Sequence, residues 1–434
     1  MSFAGVDVVE VWAWGELVGA VALDPATDAY AFEYTPDWIA RGIDLSPLHL
    51  PARPGVAVFP ELNPATFLRL PPMLADALPD RFGNALIDAW MARHGIPADR
   101  VTPLDRLAYT ADRAMGALEF RPPAGAPTPE PTAIALADLV TTARAALAGE
   151  LTEGPAAEEA LSQLIAVGTS AGGARAKAVI AYRPETGQIR SGQLGAPEGF
   201  EQWLIKLDGV TGDPTWEASL GEGTSYGIVE YAYHLMARAA GIDMAECRLL
   251  PEGPRTHFLT RRFDRTGTDG KIHLQSLCGL AHLDFNLPGA HDYAQYLQTI
   301  DALGLGAPAR EQAFRRIAFN VAAVNRDDHT KNLAFLCDPD GTWRLAPAFD
   351  VTFAHNPAGR WTSVHQMAVE GKRDGIALAD LEALADRGTV PGYRDVIAEV
   401  LAAVDRWPEL ADQAGVPAET AEAIAEEHRR HRPR

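Results

Sequence analysis

Residues 325–332 read NRDDHTKN, and the setting of these eight positions decides the fold. They follow AREQAFRRIAFNVAAVN (309–325), where Phe314, Ile317, Ala318 and Val321 recur at the three- and four-residue steps of one helix face. They precede LAFLCD, which starts as a strand at Leu333. The expected local structure is a buried helix ending at Asn325, a polar loop, then a strand. Loops that leave a rigid element are where binding and catalysis concentrate.

The spacing sharpens this expectation. Protein kinases carry a catalytic loop H-R-D-x-x-x-x-N, in which the Asp accepts the substrate hydroxyl proton and the Asn holds a metal. Here Arg326-Asp327 is followed five positions later by Asn332, and Asn325 replaces the leading His. A short loop lets a carboxylate face an incoming hydroxyl while an amide oxygen faces magnesium. Lys331 is placed to neutralise a moving phosphoryl group, and His329 to contact a phosphate oxygen or brace the loop. The plainer reading is a helix-terminal loop in which Asp327 or Asp328 caps the next element.

Kinase chemistry requires a second metal ligand downstream, and WRLAPAFDVTF (343–353) supplies Asp350 at the end of a second strand. A hairpin at Asp340-Gly341 returns Asp350 to the side of Asn332. Val351-Thr352 stands where kinases carry Phe-Gly. Upstream, Lys206 interrupts the apolar strand QWLIKL (202–207), as the phosphate-pairing lysine of kinases does. Glu230, on the helical run YGIVEYAYHLMARAAG (226–241), is its natural ion-pair partner. The turn GTSAGGARAK (168–177) can lay backbone N–H groups along phosphates. It is not a Walker loop, because Ala174-Arg175 follows Gly173 where Lys-Ser/Thr is required. GEGTSYG (221–227) reads as an ordinary loop. HFLTRRFDR (257–265) reads as a strand leading to a hinge, with Phe263 offering a face to an adenine ring.

Composition bounds the alternatives. The 434 residues are 47% hydrophobic, enough for a large core and for two or three domains. A net charge of -20 disfavours unaided binding to nucleic acid or to an anionic membrane and leaves room for a basic partner. The basic tail HRRHRPR (428–434) reads as a solvated, frayed end rather than a binding arm. Three scattered cysteines, Cys247, Cys278 and Cys337, and a start without a basic-then-apolar pattern point to the cytoplasm. No apolar window approaches the roughly 20 residues of a membrane span.

Along the chain, VDVVEVWAWGELVGAVAL (6–23) reads as a hairpin around Gly15-Glu16, with AYAFEY (29–34) as a third strand. FGNALIDAWMARHG (82–95) reads as a helix stopped at Gly95, and GALEFRP (116–122) as a further strand. PPAGAPTPEPTAIA (122–135) is the clearest linker. Helices are expected in 136–150 and 156–168, strands at 177–183, 202–207, 247–250 and 257–263, and at least three helices in the last hundred residues. The fold class is α+β. It comprises a β-rich part over 1–122, a sheet-containing nucleotide part over 136–285, and an all-α catalytic part over 286–434.

Taken together, these residues resemble the HipA family of bacterial serine/threonine kinases, the toxin halves of toxin–antitoxin pairs. The resemblance covers nearly the whole chain. VWAWGELVGAVAL, ADALPDRFGNALI and DRAMGALEFRP are similar to the family's amino-terminal subdomain; SAGGARAKAVI to its phosphate-binding loop; WLIK to its nucleotide-lysine strand; RRFDR to its hinge; and NRDDHTKN with PAFD to its catalytic loop and metal site. It implies a protein-kinase-like HipA fold with ATP and Mg2+. Asp327 would be the catalytic aspartate with Lys331 beside it, and Asn332 and Asp350 the magnesium ligands. Lys206, Ser170, Gly172, Gly173, Arg262, Phe263 and His329 would line the nucleotide. Ser170 falls where family members autophosphorylate a serine and eject the loop, and Thr169 is the adjacent candidate acceptor. A protein substrate, in the family an aminoacyl-tRNA synthetase, and a HipB-like DNA-binding antitoxin are the implied partners. Arg261 departs from the acid that some members carry at the hinge.

Competing readings are a metal hydrolase with Asp327, Asp328, His329, Asp350 and His365 as ligands, a binding-only or co-repressor protein, and a small-molecule kinase. Two cations, Lys206 and Lys331, suit a triphosphate better than a bare metal cluster.

Overall fold

The computed structural model describes residues 5–79, 81–122, 140, 141, 143, 175–192, 195–211 and 226–434. The helices expected in 136–150 and 156–168, and the phosphate-loop residues Thr169, Ser170, Gly172 and Gly173, therefore lie outside the described residues, 140, 141 and 143 apart. The chain forms two compact units: Met1–Gly212 with Leu259–Gln275 and Leu336–Thr342, and Asp213–Phe258 with Ser276–Phe335 and Trp343–Arg434.

The first unit opens with five strands, Val8–Ala13 (β1), Glu16–Asp24 (β2), Ala29–Tyr34 (β3), Val56–Ala57 (β4) and Leu118–Arg121 (β5), in the order β4-β3-β2-β1-β5. All pairings are antiparallel. Alternation buries Val9, Val11 and Ala13 of β1 and leaves Val8 and Glu10 outside. The β1–β2 turn falls one residue earlier than expected. Ala13 pairs with Glu16, and Trp14 and Gly15 take φ of 51° and 79°, the left-handed pair of a primed two-residue turn. At Gly19 a Cβ would stand 2.3 Å from the Glu33 carbonyl oxygen, so β2 approaches β3 at a distance only glycine permits.

Three further strands, Arg175–Arg183 (β6), Gln188–Ser191 (β7) and Glu201–Thr211 (β8), pair antiparallel in the same unit. The expected strand at 202–207 is thus longer by several residues. Trp203, Ile205 and Leu207 of β8 are buried on one face, and Lys206, on the other, is opposite Lys177 of β6 in the register.

Segment 262–275 is stitched to this unit by polar groups. The fully buried Asp264 accepts from the Arg262 guanidinium through both oxygens (3.0 and 2.6 Å), from Arg265 (2.8 Å) and from the Gly116 N–H (2.7 Å). Arg265 also donates to the Gly116 and Ala114 carbonyls, and Lys271 to Glu119. Burial alone would raise the Asp264 carboxyl, but the charges of Arg262 and Arg265 overwhelm it and hold it far below the ordinary range.

The second unit is built on helices. Tyr226–Ala239 packs on Trp407–Ala414, and Gly306–Ala322 on Tyr393–Asp405, around one apolar cluster. Tyr233 lies at its centre, edge-on to Phe319 (centroids 6.2 Å) and to Trp407 (5.3 Å), its hydroxyl donating to the Ala323 carbonyl at 2.6 Å. Each such aromatic side chain contributes roughly 1.5–3 kcal/mol through burial. Leu277–Ala281, Tyr293–Ala302, Leu378–Arg387 and Ala418–His431 are its other α-helices among the described residues. The carboxy-terminal part is helical as expected, though not all-α, because Ala334–Cys337 and Trp343–Leu345 form strands there. Polar turn residues force the reversal: the Thr342 carbonyl accepts from the Asp338 N–H at 3.0 Å, and Gly341 takes φ of 86°.

Two further expectations are corrected. The helix before the octet ends at Ala322, where the Ala323 N–H bonds the Phe319 carbonyl and Val324 turns to a φ of 54° that helix cannot hold. The basic tail is docked, not frayed. His428 is buried against Tyr233 and Trp407, Arg432 pairs with Asp405, and the Arg434 carbonyl accepts from the Leu378 N–H. The amphipathic face of Ala418–His431 supplies the apolar contact that charge counting misses. Among the described residues no helix is long and apolar enough to cross a membrane.

Candidate active site

Helix Gly306–Ala322 fixes the octet from within the core, with Phe314, Ile317 and Phe319 fully buried. Beyond the turn at Val324, Asn325 reaches back: its N–H donates to the Asn320 carbonyl and its Nδ2 to Asn320 Oδ1, both at 2.9 Å. A single parallel bridge to Ala354 then straightens the chain, the Arg326 N–H donating to the Ala354 carbonyl at 3.1 Å. The Thr330 hydroxyl donates to the Leu283 carbonyl at 2.7 Å and pins the loop's far end.

Within this frame the two adjacent aspartates face opposite ways. The Asp328 side chain is wholly buried, whereas that of Asp327 keeps 42% of its surface exposed. Asp328 accepts from the Tyr293 hydroxyl (2.8 Å), His365 Nδ1 (2.8 Å) and the Gln366 N–H (2.7 Å). Burial would raise its carboxyl, but the His365 charge and these hydrogen bonds together hold it below the ordinary range. Asn320 extends the network by donating to the Tyr293 oxygen at 3.0 Å. Asp328 is therefore the anchor beneath the loop.

Asp327 is the group presented outward. Gln366 Nε2 donates to its Oδ1 at 2.9 Å and leaves Oδ2 for an incoming proton. Asn332 Nδ2 donates to the Asp327 carbonyl oxygen at 2.8 Å, so the Asn332 Oδ1 is free of that bond and can meet a cation. Asn332 and Asp350 line the same small cavity of about 20 Å³, together with Asn325, Asp328 and Phe349. An amide oxygen and a carboxylate suit a hard cation such as Mg2+. Asp350 sits at φ 58°, and Val324, just before the loop, at 54°; strained residues of this kind cluster at functional sites.

His329 and Lys331 both lie against Phe285. The His329 ring is 5.7 Å from its centroid and the Lys331 Nζ 5.0 Å. His329 Nε2 is 3.8 Å from Asp327 Oδ1, too long for a hydrogen bond. Glu230 is buried on helix Tyr226–Ala239 of this same unit. The remaining expected nucleotide residues belong to the first unit: Lys206 buried on β8, Arg262 bound to Asp264, and Phe263 half-buried beside it.

The structure thus brings together Asp327, Asn332, Asp350, His329 and Lys331. Sequence reading did not find Tyr293, Asn320 and Gln366. Gln366 lies in SVHQMAV with no motif around it, and only the fold carries it across 39 positions to Asp327.

Comparison with solved structures finds one that shares this fold over nearly its whole length. The most similar solved structures include HipA of Shewanella oneidensis MR-1, in complex with HipB and its operator DNA. It is 15% identical, with 98% of this chain and 97% of that one covered, at a TM-score of 0.67. The Helicobacter pylori proinflammatory kinase CtkA matches over 53% of this chain and 87% of its own, at 14% identity and a TM-score of 0.34. No curated protein sequence matches. The model of the HipA N-terminal domain matches residues 9–121, and that of the HipA-like C-terminal domain residues 169–433. With both domain models in order along it, the chain belongs to the HipA family and has the HipA fold.

Proposed function

We propose that the protein is an ATP-dependent serine/threonine protein kinase of the HipA toxin type. The observation that carries this reading is the Asp327 carboxylate, half-exposed and held by Gln366 through one oxygen, with Asn332 and Asp350 lining the adjoining cavity. Asp327 Oδ2 takes the proton of the attacking hydroxyl. Asn332 and Asp350 would hold Mg2+, which supplies charge neutralisation for the phosphates. Lys331, carried on the Phe285 ring, adds positive charge beside them. Lys206, Arg262 and Phe263, with Gly172 and Gly173 of the phosphate loop, are the proposed nucleotide residues, and Ser170 or Thr169 the proposed site of autophosphorylation.

The hydrolase alternative is disfavoured by Asp328 and His365. Those two ligands are hydrogen-bonded to one another, and the Asp328 carboxylate is filled by Tyr293 and Gln366 besides. Because the Shewanella relative is seen with HipB and operator DNA, we extend the proposal to a HipB-like antitoxin as partner and a cellular protein as substrate. The test is ATP binding by calorimetry with Mg2+, in the full chain and in Asp350→Asn. Binding that requires Mg2+ and weakens about tenfold or more in the variant supports the reading. Metal-independent binding, unchanged in the variant, counts against it.

A further inference from the structure

His355 follows the bridge residue Ala354, and Glu427 and His431 are one turn apart on helix Ala418–His431. Their ligand atoms converge. His355 Nδ1 is 2.7 Å from Glu427 Oε2, His431 Nε2 is 3.3 Å from the same oxygen, and all three lie within 4.8 Å of one another. The two rings meet edge to face at 5.1 Å. The His431 Nε2 is buried without a hydrogen bond.

We propose that His355, Glu427 and His431 form a binding site for a zinc-class dication, supplying three ligands and leaving the fourth position to water. Two imidazoles and one carboxylate are a donor set that open zinc sites use. Ligands about 2.1 Å from a tetrahedral metal stand roughly 3.4 Å apart, so modest side-chain rotation closes the set.

Every neighbouring charge has a defined part. Arg430 occupies the other carboxylate oxygen, Glu427 Oε1, and leaves Oε2 to the metal. Arg326 Nη2 donates to His431 Nδ1 at 3.0 Å, which places the imidazole proton on Nε2; binding must move it to Nδ1. Asp374 Oδ1, 3.8 Å from that Nδ1, is a carboxylate that would accept it after closing by about an ångström. Arg326 retains Asp374 and the Ser363 carbonyl. An open cavity of about 320 Å³ borders the cluster on the His431 side, where Asp374 faces five arginines, Arg326 among them. The inference does not rest on the kinase reading.

The test is zinc titration of the metal-stripped full chain by calorimetry, with His355→Ala, His431→Ala, Asp374→Asn and Asp350→Asn in parallel. The expected result is one zinc equivalent that either histidine variant loses and Asp350→Asn keeps, bound about 10–100-fold more weakly in Asp374→Asn. Zinc retained in both histidine variants, or lost in Asp350→Asn instead, overturns the proposal. Co2+ bound to the unmutated chain gives a second measurement that does not depend on the variants folding. Intense visible absorption of a tetrahedral nitrogen–oxygen site is expected, and its absence overturns the proposal as well.

Discussion

Gln366 Nε2 donates a 2.9 Å hydrogen bond to Asp327 Oδ1, while the backbone N–H of the same residue donates to Asp328 at 2.7 Å. One residue from the 363–369 segment thus orients the outward carboxylate and secures the inward one.

Replacing the Gln366 amide removes the first bond and keeps the second. Gln366→Leu is expected to lower kcat by on the order of 100-fold with the KM for ATP little changed, because a base displaced by about an ångström loses that much. Gln366→Glu sets a like charge beside Asp327 and moves the acid limb of the pH–rate profile upward. Steady-state phosphotransfer across pH checks both.

Asp328→Asn tests the anchor. Its carboxyl is held below the ordinary range, so its stabilisation is present above about pH 4 and is lost as pH falls through the depressed folded value. Breaking a buried pair of this kind costs about 3–5 kcal/mol. Urea unfolding should show that deficit at pH 7 and a shrinking one toward pH 3.

His273 and His428 are expected to govern acid stability, one in each unit. Burial pushes His273 down to about 4 and His428 down to about 3, below the ~6.5 of an unfolded histidine. The unfolded chain therefore binds the extra protons, and stability falls as pH drops below ~6.5 toward those values. His428→Gln should flatten this slope in thermal melts between pH 6.5 and 4, whatever it costs at neutral pH.

Asp264→Asn leaves the Arg262 and Arg265 guanidiniums buried without their carboxylate. The first unit is expected to lose about 3–5 kcal/mol. Limited proteolysis of the folded chain should show its strands cut well before helix Gly306–Ala322.

Much of this was legible in the residues themselves. The spacing Asp327 to Asn332 and the Asp340-Gly341 turn suffice to bring Asp350 to the cavity that Asn332 lines, because both depend on local geometry. The end of the preceding helix was not legible. Val324 is a β-branched residue at positive φ, which no local propensity favours and which the Asn325–Asn320 and Arg326–Ala354 bonds impose. Gln366, Tyr293 and the convergence of His355 with Glu427 and His431 are tertiary placements, without periodicity or spacing to announce them. The docking of the basic tail was hidden for a related reason. Its charges are conspicuous, while the contact that holds it is the burial of His428 against Tyr233 and Trp407.

The most direct measurement is intact-mass spectrometry of the purified chain with and without Mg-ATP, beside Asp327→Asn. The proposed mechanism predicts a gain of one phosphate, at Ser170 or Thr169, that the variant loses by on the order of 100-fold or more in rate. Phosphate incorporation at an equal rate in Asp327→Asn would contradict it, as would a chain that neither binds ATP nor transfers phosphate to any protein acceptor.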